Sequence, residues 1–456
     1  MKAETQTRSS VSGQLPPIDP GRYDTEADVH KITDYRCVSR DMQHTSLEPR
    51  LYLHLDMNCF YAQVEQQCFK LHGMPVYVGG WYKPDGTPRG IVATSSYEAR
   101  AFGIKTGMSA FEAEQLCPWA IGLQAHYEKY KGISGLIEQV LEEFAPTVEQ
   151  YSMDEYFLDI NFLKGRPQEE ILRYIQQLRN LIYREIGLVC SLGVSWSKTY
   201  AKLASDLHKP NGVTLVLDGE AAAEQLHPLP LDEVWGIGRK RFEKLKSRGL
   251  YTIGEAIDRG YPLFQDLFGE YFGKIVWEMV AGKDRARVLT DQQLVPEQLN
   301  YMHTFSDRSD DPERIRGEIM QGVQQLCYRM RGYRLRARQY FCYLRIQDSS
   351  NRGLSFRFNT LGHTNLDDYV FYECMKRARP RIRWLLDNGH TLRGIGLGTV
   401  KTDGTGQGEL FFREGEQKRR FYLAQDAVNN RYGKGSVVKA SVMDKVPGKT
   451  HFLDRS

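Results

Sequence analysis

The sequence predicts a multidomain α+β protein, on three observations. Its 456 residues exceed what one hydrophobic core supports. Between residues 51 and 217, short alternating runs stand apart from two long amphipathic helical runs, the pattern of an antiparallel sheet with helices on one face. After residue 301, a β-α-β-β-α-β order builds a second, independent segment.

Composition narrows the class. Hydrophobic residues at 41% and charged residues at 26% describe a globular chain rather than a disordered or fibrous one. A net charge of +4 is too slight to argue for nucleic acid, but residues 301–400 hold 17 Lys and Arg against 10 Asp and Glu. Such a basic segment suits a polyanion-binding face, a solvated surface being the plainer reading. The 8 cysteines form no C-x-x-C pair and join no His cluster, which favours buried thiols in a reducing compartment over disulfides or zinc. With no apolar leader and no apolar run of about 18 residues, a cytoplasmic protein without a membrane span is expected.

Residues 1–48 are polar, contain Pro16-Pro17, and read as a flexible N-terminal extension of no assigned role. Leu51, Leu53 and Leu55 then alternate with Tyr52, His54 and Asp56, a half-buried strand ending on Asp56. A helix follows at 63–68. A carboxylate at a strand end beside a helix N-terminus suits a metal with phosphates on the backbone amides. Strands at 76–78 and 91–94, around a Gly/Pro-rich loop, and helices opening at Tyr97 and Ser109 fit a small inserted subdomain.

Ile133, Leu136, Ile137, Val140, Leu141 and Phe144 keep helical spacing until Pro146 stops them. Asp154 and Glu155 then fall at the turn between strands at 147–151 and 156–160. Two adjacent carboxylates repel unless a cation relieves them, although a solvated acidic turn also explains the pair alone. Asp159 lies past the turn and reads as serving the fold. A second long helix carries Ile171, Ile175, Leu178, Ile182 and Ile186, followed by a strand at 189–194, a helix with Lys198 and Lys202, and a strand at 213–217. The two lysines share a helix face suited to phosphates or simply to solvent. Residues 193–199 lack the second glycine of a P-loop, which excludes that motif.

Gly236-Ile237-Gly238 joins two short helical runs, and its glycines let backbone amides approach a phosphate, with Arg239, Lys240, Lys244 and Lys246 just after. Residues 290–300 read as a linker. The second segment takes strands at 301–305, 338–347, 354–358 and 392–400, with helices through Ile315–Met330 and Val370–Leu385. Arg331, Arg334, Arg336 and Arg338 crowd one of its edges. In the glycine-rich tail, Gln407, Leu410 and Phe411 form a candidate docking peptide, and a short helix is expected at 421–432.

Five stretches occur in order: Leu55-Asp56-Met57-Asn58-Cys59-Phe60-Tyr61-Ala62, Tyr97-Glu98-Ala99-Arg100, residues 151–159, Lys209-Pro210-Asn211-Gly212, and Val234-Trp235-Gly236-Ile237-Gly238. Together they resemble the Y-family, or translesion, DNA polymerases, most nearly the bacterial polymerase IV type, over about residues 51–400. The resemblance implies a palm (49–59 and 127–217) with inserted fingers (60–126), a helix-hairpin-helix thumb (218–289), a linker (290–300), a little finger (301–401) and a tail (402–456). It also implies low-fidelity, template-directed extension of a DNA primer with dNTPs in translesion synthesis, by two-metal nucleotidyl transfer.

In that reading two Mg²⁺ ions are bridged by Asp56 and Asp154, with Glu155 on the catalytic ion and the Met57 carbonyl on the nucleotide-side ion. The Cys59 and Phe60 amides, Tyr97, Arg100 and Lys209 meet the triphosphate, and Tyr61 is the steric gate against a 2′-hydroxyl. Gly236, Gly238, Lys240, Arg331, Arg334, Arg336 and Arg338 meet DNA, while Gln407, Leu410 and Phe411 dock on a bacterial sliding clamp. The implied partners are primer-template DNA, dNTP and that clamp, for a monomer with no membrane contact. A non-catalytic scaffold in DNA repair is the alternative; retention of all three carboxylates argues against it. Asn58 and Cys59 depart from the family's commonest residues, which bears on nucleotide selectivity.

Overall fold

The computed structural model describes residues 50–82, 88–290, 296–346, 353–404, 413–433 and 436–437. The expected N-terminal extension and the docking residues Gln407, Leu410 and Phe411 lie outside the described residues. Those described fall into two compact units dividing at Thr290.

The first unit begins with β1 (Tyr52–Met57), α1 (Phe60–Phe69), β2 (Val76–Val78), β3 (Trp81–Tyr82), β4 (Pro88–Arg89), β5 (Thr94–Ser95), α2 (Tyr97–Ala101), α3 (Ala110–Leu116) and β6 (Ile121–Leu123). Then come α4 (Tyr127–Phe144), β7 (Val148–Gln150), β8 (Glu155–Asp159), α5 (Gln168–Ile186), β9 (Cys190–Ser195), α6 (Lys198–Leu207) and β10 (Val213–Leu215). The central sheet has the order β10-β9-β1-β8-β7. Its pairs are antiparallel except β10 with β9. That parallel edge corrects the expected all-antiparallel sheet: α6 carries the chain back across the sheet, so β10 re-enters in the direction of β9.

Leu53, Leu55 and Met57 of β1 share a core with Ile137 and Leu141 of α4 and with Ile171, Ile175, Leu178 and Ile182 of α5. The opposite face is covered too. Tyr52 packs with Phe157 and Ala201, and His54 Nδ1 lies 2.8 Å from Ser205 Oγ of α6. All six residues of β1 are therefore buried, where alternation alone predicts one wet face. The α5 periodicity is met: its isoleucines and Leu178 are buried, and Gly187 ends the helix at φ +77°.

A smaller sheet, β5-β2-β6, packs with α2 and α3 around Tyr77, Val92, Ile104 and Ala113. A capping box between Ser109 and Glu112 opens α3. The strand expected at 91–94 shrinks to β5, with Ile91 making an isolated bridge to Ser109. The helices α7 (Gly219–Gln225), α8 (Arg239–Lys246), α9 (Ile253–Arg259), α10 (Tyr261–Phe268) and α11 (Glu270–Val280) enclose a core that includes Tyr200 and Leu203 of α6. The element before Gly236 is a single 3-10 turn at Leu231–Glu233 rather than an α-helix, and Gly236 takes φ +87° to enter α8.

The second unit comprises β11 (Asn300–Ser309), α12 (Pro312–Gly332), β12 (Leu335–Ile346), β13 (Gly353–Thr364), α13 (Asp367–Asp387), β14 (Leu392–Thr399), β15 (Asp403–Gly404) and α14 (Arg413–Tyr432). The expected β-α-β-β-α-β order is present, and the strands pair antiparallel as β11-β14-β12-β13. The tail helix starts eight residues earlier than predicted and buries Tyr422. Among the described residues no helix is long and apolar enough to cross a membrane.

Candidate active site

Strand register assembles the carboxylates. β1 runs against β8 with Asp56 directly opposite Glu155, a spacing at which side chains interact. The Met57 N–H donates to the Asp154 carbonyl at 2.9 Å, so Asp154 closes the turn and Glu155 opens β8. Ser152 Oγ donates to Asp154 Oδ1 at 2.5 Å.

Two lysines offset only part of the cluster's charge. Lys209 Nζ lies 2.8 Å from Asp56 and 2.6 Å from Asp206, and Lys202 lies 2.7 Å from Glu155. Burial still pushes the Asp56 carboxyl up to about 6; Lys209 opposes the rise and the Glu155 charge adds to it. Asp154 is also raised, by burial and by Asp56, against the Ser152 hydrogen bond. Burial pulls the Lys209 ammonium down, but Asp56 and Asp206 outweigh it and hold it above the ordinary lysine range.

Among the described residues no three carboxylate, imidazole or thiol groups form a ready-made ion cage. The donors are nonetheless hard oxygens in a site short of positive charge, which fits Mg²⁺. That ion takes one or two carboxylates and completes its shell with water and phosphate oxygens.

Beside the carboxylates is a cavity of ≈ 350 Å³ whose wall includes Asp56, Met57 and Asp154. All six expected nucleotide contacts, Cys59, Phe60, Tyr61, Tyr97, Arg100 and Lys209, line it, and so do Ala93, Thr94 and Thr106. Glu155 is not on its wall. Cys59 precedes α1 at φ 40°, a left-handed conformation unusual for a side-chain-bearing residue, and its own side chain makes no capping bond. The first residues of α1 and Cys59 before it line the cavity, so the helix N-terminus faces it, a setting that favours an anion. Arg100 and Tyr97 share one short helix, with the guanidinium 4.7 Å from the Tyr97 ring centre.

Sequence reading missed Ala93, Thr94 and Thr106, which carry no motif and arrive only by folding. It also missed the support of the Lys209 loop. Buried Asn58 accepts the Asn211 N–H at 2.7 Å and donates to Ser191 Oγ at 2.9 Å.

The impB/mucB/samB family profile matches residues 55–206. The chain is 32% identical over 278 residues to DNA polymerase IV of Streptococcus agalactiae serotype Ia, spanning 61% of this chain and 75% of that protein. It is 35% identical over 280 residues to DNA polymerase IV of Streptococcus pyogenes serotype M12, at the same coverages of 61% and 75%. The chain belongs to the Y-family of DNA polymerases. A solved Y-family DNA polymerase chimera of Dbh and Dpo4 shares the fold, with TM-score 0.65 at 22% identity over 76% of this chain and 98% of the chimera. As a Y-family member the protein is a DNA-directed DNA polymerase.

The residues expected to face the polymerase's DNA divide in two. Gly236, Gly238, Lys240, Arg334 and Arg338 are exposed and Arg336 is half-buried. Arg331 is different. It is buried, donating to Asp367 at 2.6 Å and to Asp426 at 2.5 and 3.0 Å, so its guanidinium is committed inside the second unit. Lys198 is likewise withdrawn from any phosphate, lying buried 2.7 Å from both Glu149 oxygens.

Proposed function

We propose that this polymerase extends a DNA primer with dNTPs by two-metal, Mg²⁺-dependent nucleotidyl transfer, with low fidelity, in translesion synthesis. The observation that carries the reading is the register of Asp56 against Glu155, with Asp154 beside them, at a cavity lined by Tyr61, Tyr97, Arg100 and Lys209. Mg²⁺ held by Asp56, Asp154, Glu155 and the Met57 carbonyl would make the primer 3′-hydroxyl more acidic and offset the pyrophosphate charge. Arg100, Lys209 and the amides of Cys59 and Phe60 orient the triphosphate, and the two cations favour charge moving toward the leaving group. The Tyr61 ring closes the sugar side, leaving no room for a 2′-hydroxyl.

Gly236, Gly238 and Lys240, with Arg334, Arg336 and Arg338, hold the phosphates of primer-template DNA. The protein works as a cytoplasmic monomer, and Gln407, Leu410 and Phe411 dock it on a sliding clamp.

Primer extension on a primed template with Mg²⁺ tests the reading. Wild type extends the primer; Asp154→Ala loses at least about a hundredfold in rate, the scale of a displaced metal or charge stabiliser. Equal activity in both, or none in wild type, overturns it. In the same assay, deleting residues 407–412 should reduce only the clamp-stimulated fraction; equal loss without the clamp rejects the docking role.

A further inference from the structure

Tyr61 and Glu65 stand four residues apart on α1 and so share one helix face. Against that face α4 sets Lys129 and Tyr130. The Tyr130 ring stacks on Tyr61 with centroids 4.3 Å apart and planes 16° from parallel. Its hydroxyl donates to Glu65 Oε1 at 2.5 Å. Lys129 Nζ donates to both Glu65 oxygens, at 2.9 and 2.7 Å. The Glu65 side chain is 0% exposed and that of Lys129 6%, so the pair is sealed from water. Toward the acidic turn, the Tyr61 hydroxyl reaches Met153 Sδ at 3.7 Å.

A buried ion pair is a costly way to fill a core, since apolar side chains of similar volume commonly do as well or better. This pair touches none of the three acidic-cluster carboxylates. What it supplies is direction. Two stacked rings alone can slide across each other, but a hydroxyl tied to a fixed carboxylate cannot follow. Burial and the Glu65 charge both keep the Tyr130 hydroxyl protonated, and therefore a donor. A steric filter selects only as well as its wall resists displacement, and a shift well under 1 Å is enough to loosen such a site.

We propose that Glu65, acting through Tyr130, is the positioning residue that determines how firmly Tyr61 excludes a 2′-hydroxyl. The proposal rests on the reading of Tyr61 as the sugar gate and deepens it. Lys129 neutralises the carboxylate so that it can stay buried, Tyr130 transmits its position, and Tyr61 presents the resulting wall to the nucleotide.

The test is single-nucleotide insertion of a dNTP and its matching rNTP, with full-length wild type and four variants. Tyr130→Phe removes only the hydroxyl and leaves the Glu65–Lys129 pair intact. The double variant Glu65→Leu/Lys129→Met replaces both charges with apolar groups of similar shape and leaves the Tyr130 hydroxyl without its acceptor. Tyr61→Ala and Tyr61→Ala/Tyr130→Phe complete the set.

Tyr61→Ala is expected to collapse the dNTP/rNTP ratio. Tyr130→Phe and the Glu65/Lys129 double variant should each lower it about three- to tenfold, part of the discrimination such a contact can hold. The change should come from faster rNTP insertion, with dNTP kcat/KM nearly kept. In the Tyr61→Ala background, Tyr130→Phe should change the ratio no further. If Tyr61→Ala leaves the ratio unchanged, the gate reading fails and this proposal with it. If Tyr61→Ala lowers the ratio but Tyr130→Phe does not, the gate stands and the proposal is overturned. A loss in Tyr130→Phe with a wild-type ratio in the Glu65/Lys129 variant removes Glu65 from the role. Should that variant fail to fold, the Tyr130→Phe arm decides.

Discussion

Asn58 supplies no required carboxylate, yet the loop of Lys209 depends on it. Its amide accepts the Asn211 N–H at 2.7 Å and bonds Ser191, whose hydroxyl accepts the Gly212 N–H at 3.3 Å. Asn211 sits at φ +60°, a left-handed conformation that asparagine tolerates and that these bonds help to fix. Each buried bond contributes about 1 kcal/mol. We therefore expect Asn58→Ala to raise the dNTP KM about three- to tenfold, with a smaller effect on kcat, as expected when binding rather than chemistry is loosened. Asn58→Asp keeps the acceptor for the Asn211 N–H and can accept from the Ser191 hydroxyl in place of the bond that Asn58 donates, so it should stay within about twofold of wild type. Steady-state insertion kinetics decide it: an unchanged KM in Asn58→Ala rejects the role. Asp56, Asp154 and Glu155 were legible because a strand pattern ends on one and a turn holds the others. The partner of Asn58 lies 153 positions away, and no local pattern joins them.

At the scale of elements, legibility followed periodicity. α5 could be read residue by residue because one face is apolar and a glycine ends it. β1 was misread as half-exposed because α6, which covers its second face, is called by no spacing within the strand. The end of α11 and the segment after it are held by α6, by Trp196 just before it and by β7. Tyr200 donates to the Val280 carbonyl at 3.0 Å, Trp196 to the Gly282 carbonyl at 2.8 Å, and the Leu289 N–H to Glu149 at 2.8 Å. Asp284 is half-buried there, its Oδ1 shielded from solvent and without a hydrogen-bond partner among the described residues. Burial pushes its carboxyl up to about 6, against the bonds from Ser197 and Thr199 and the charge of Lys198. The folded state thus holds this proton more tightly than the unfolded chain. Its stabilisation is complete below the ordinary aspartate range and is lost as pH rises through about 6. Asp284→Asn fixes the neutral form. Relative to the variant, wild type should lose about 1 kcal/mol between pH 5 and 8. Denaturant melts of both proteins at the two pH values give the comparison, and parallel pH dependences contradict it.

On the scale of the whole molecule, the sequence announced both units but not what the tail adds to the second. Composition marked residues 402–456 as glycine-rich and polar, and four arginines near β12 looked alike. Folding separates them: Arg331 lies buried between Asp367 and Asp426, partners 36 and 95 positions away. Tyr422 adds a hydroxyl bond to Asp368 at 2.7 Å and a ring 5.0 Å from the guanidinium. The helix α14 is thereby joined to α12 and α13 through one cation with two carboxylates. Removing one partner of a buried pair costs more than the pair contributes, because the other charge is left unsatisfied; about 3–5 kcal/mol is typical. Asp367 remains in Asp426→Ala, so the lower end of that range is expected for the second unit. The loss should be local, since every group in the cluster belongs to one unit. Hydrogen exchange read by mass spectrometry should show α14 and the C-terminal turns of α12 losing protection, with β1, β8 and β9 unchanged. Asp426→Asn, which can still accept one bond from Arg331, should fall between the variant and wild type. Unaltered protection of α14 in Asp426→Ala would show that apolar contacts such as Tyr422 hold the helix without the ion pair.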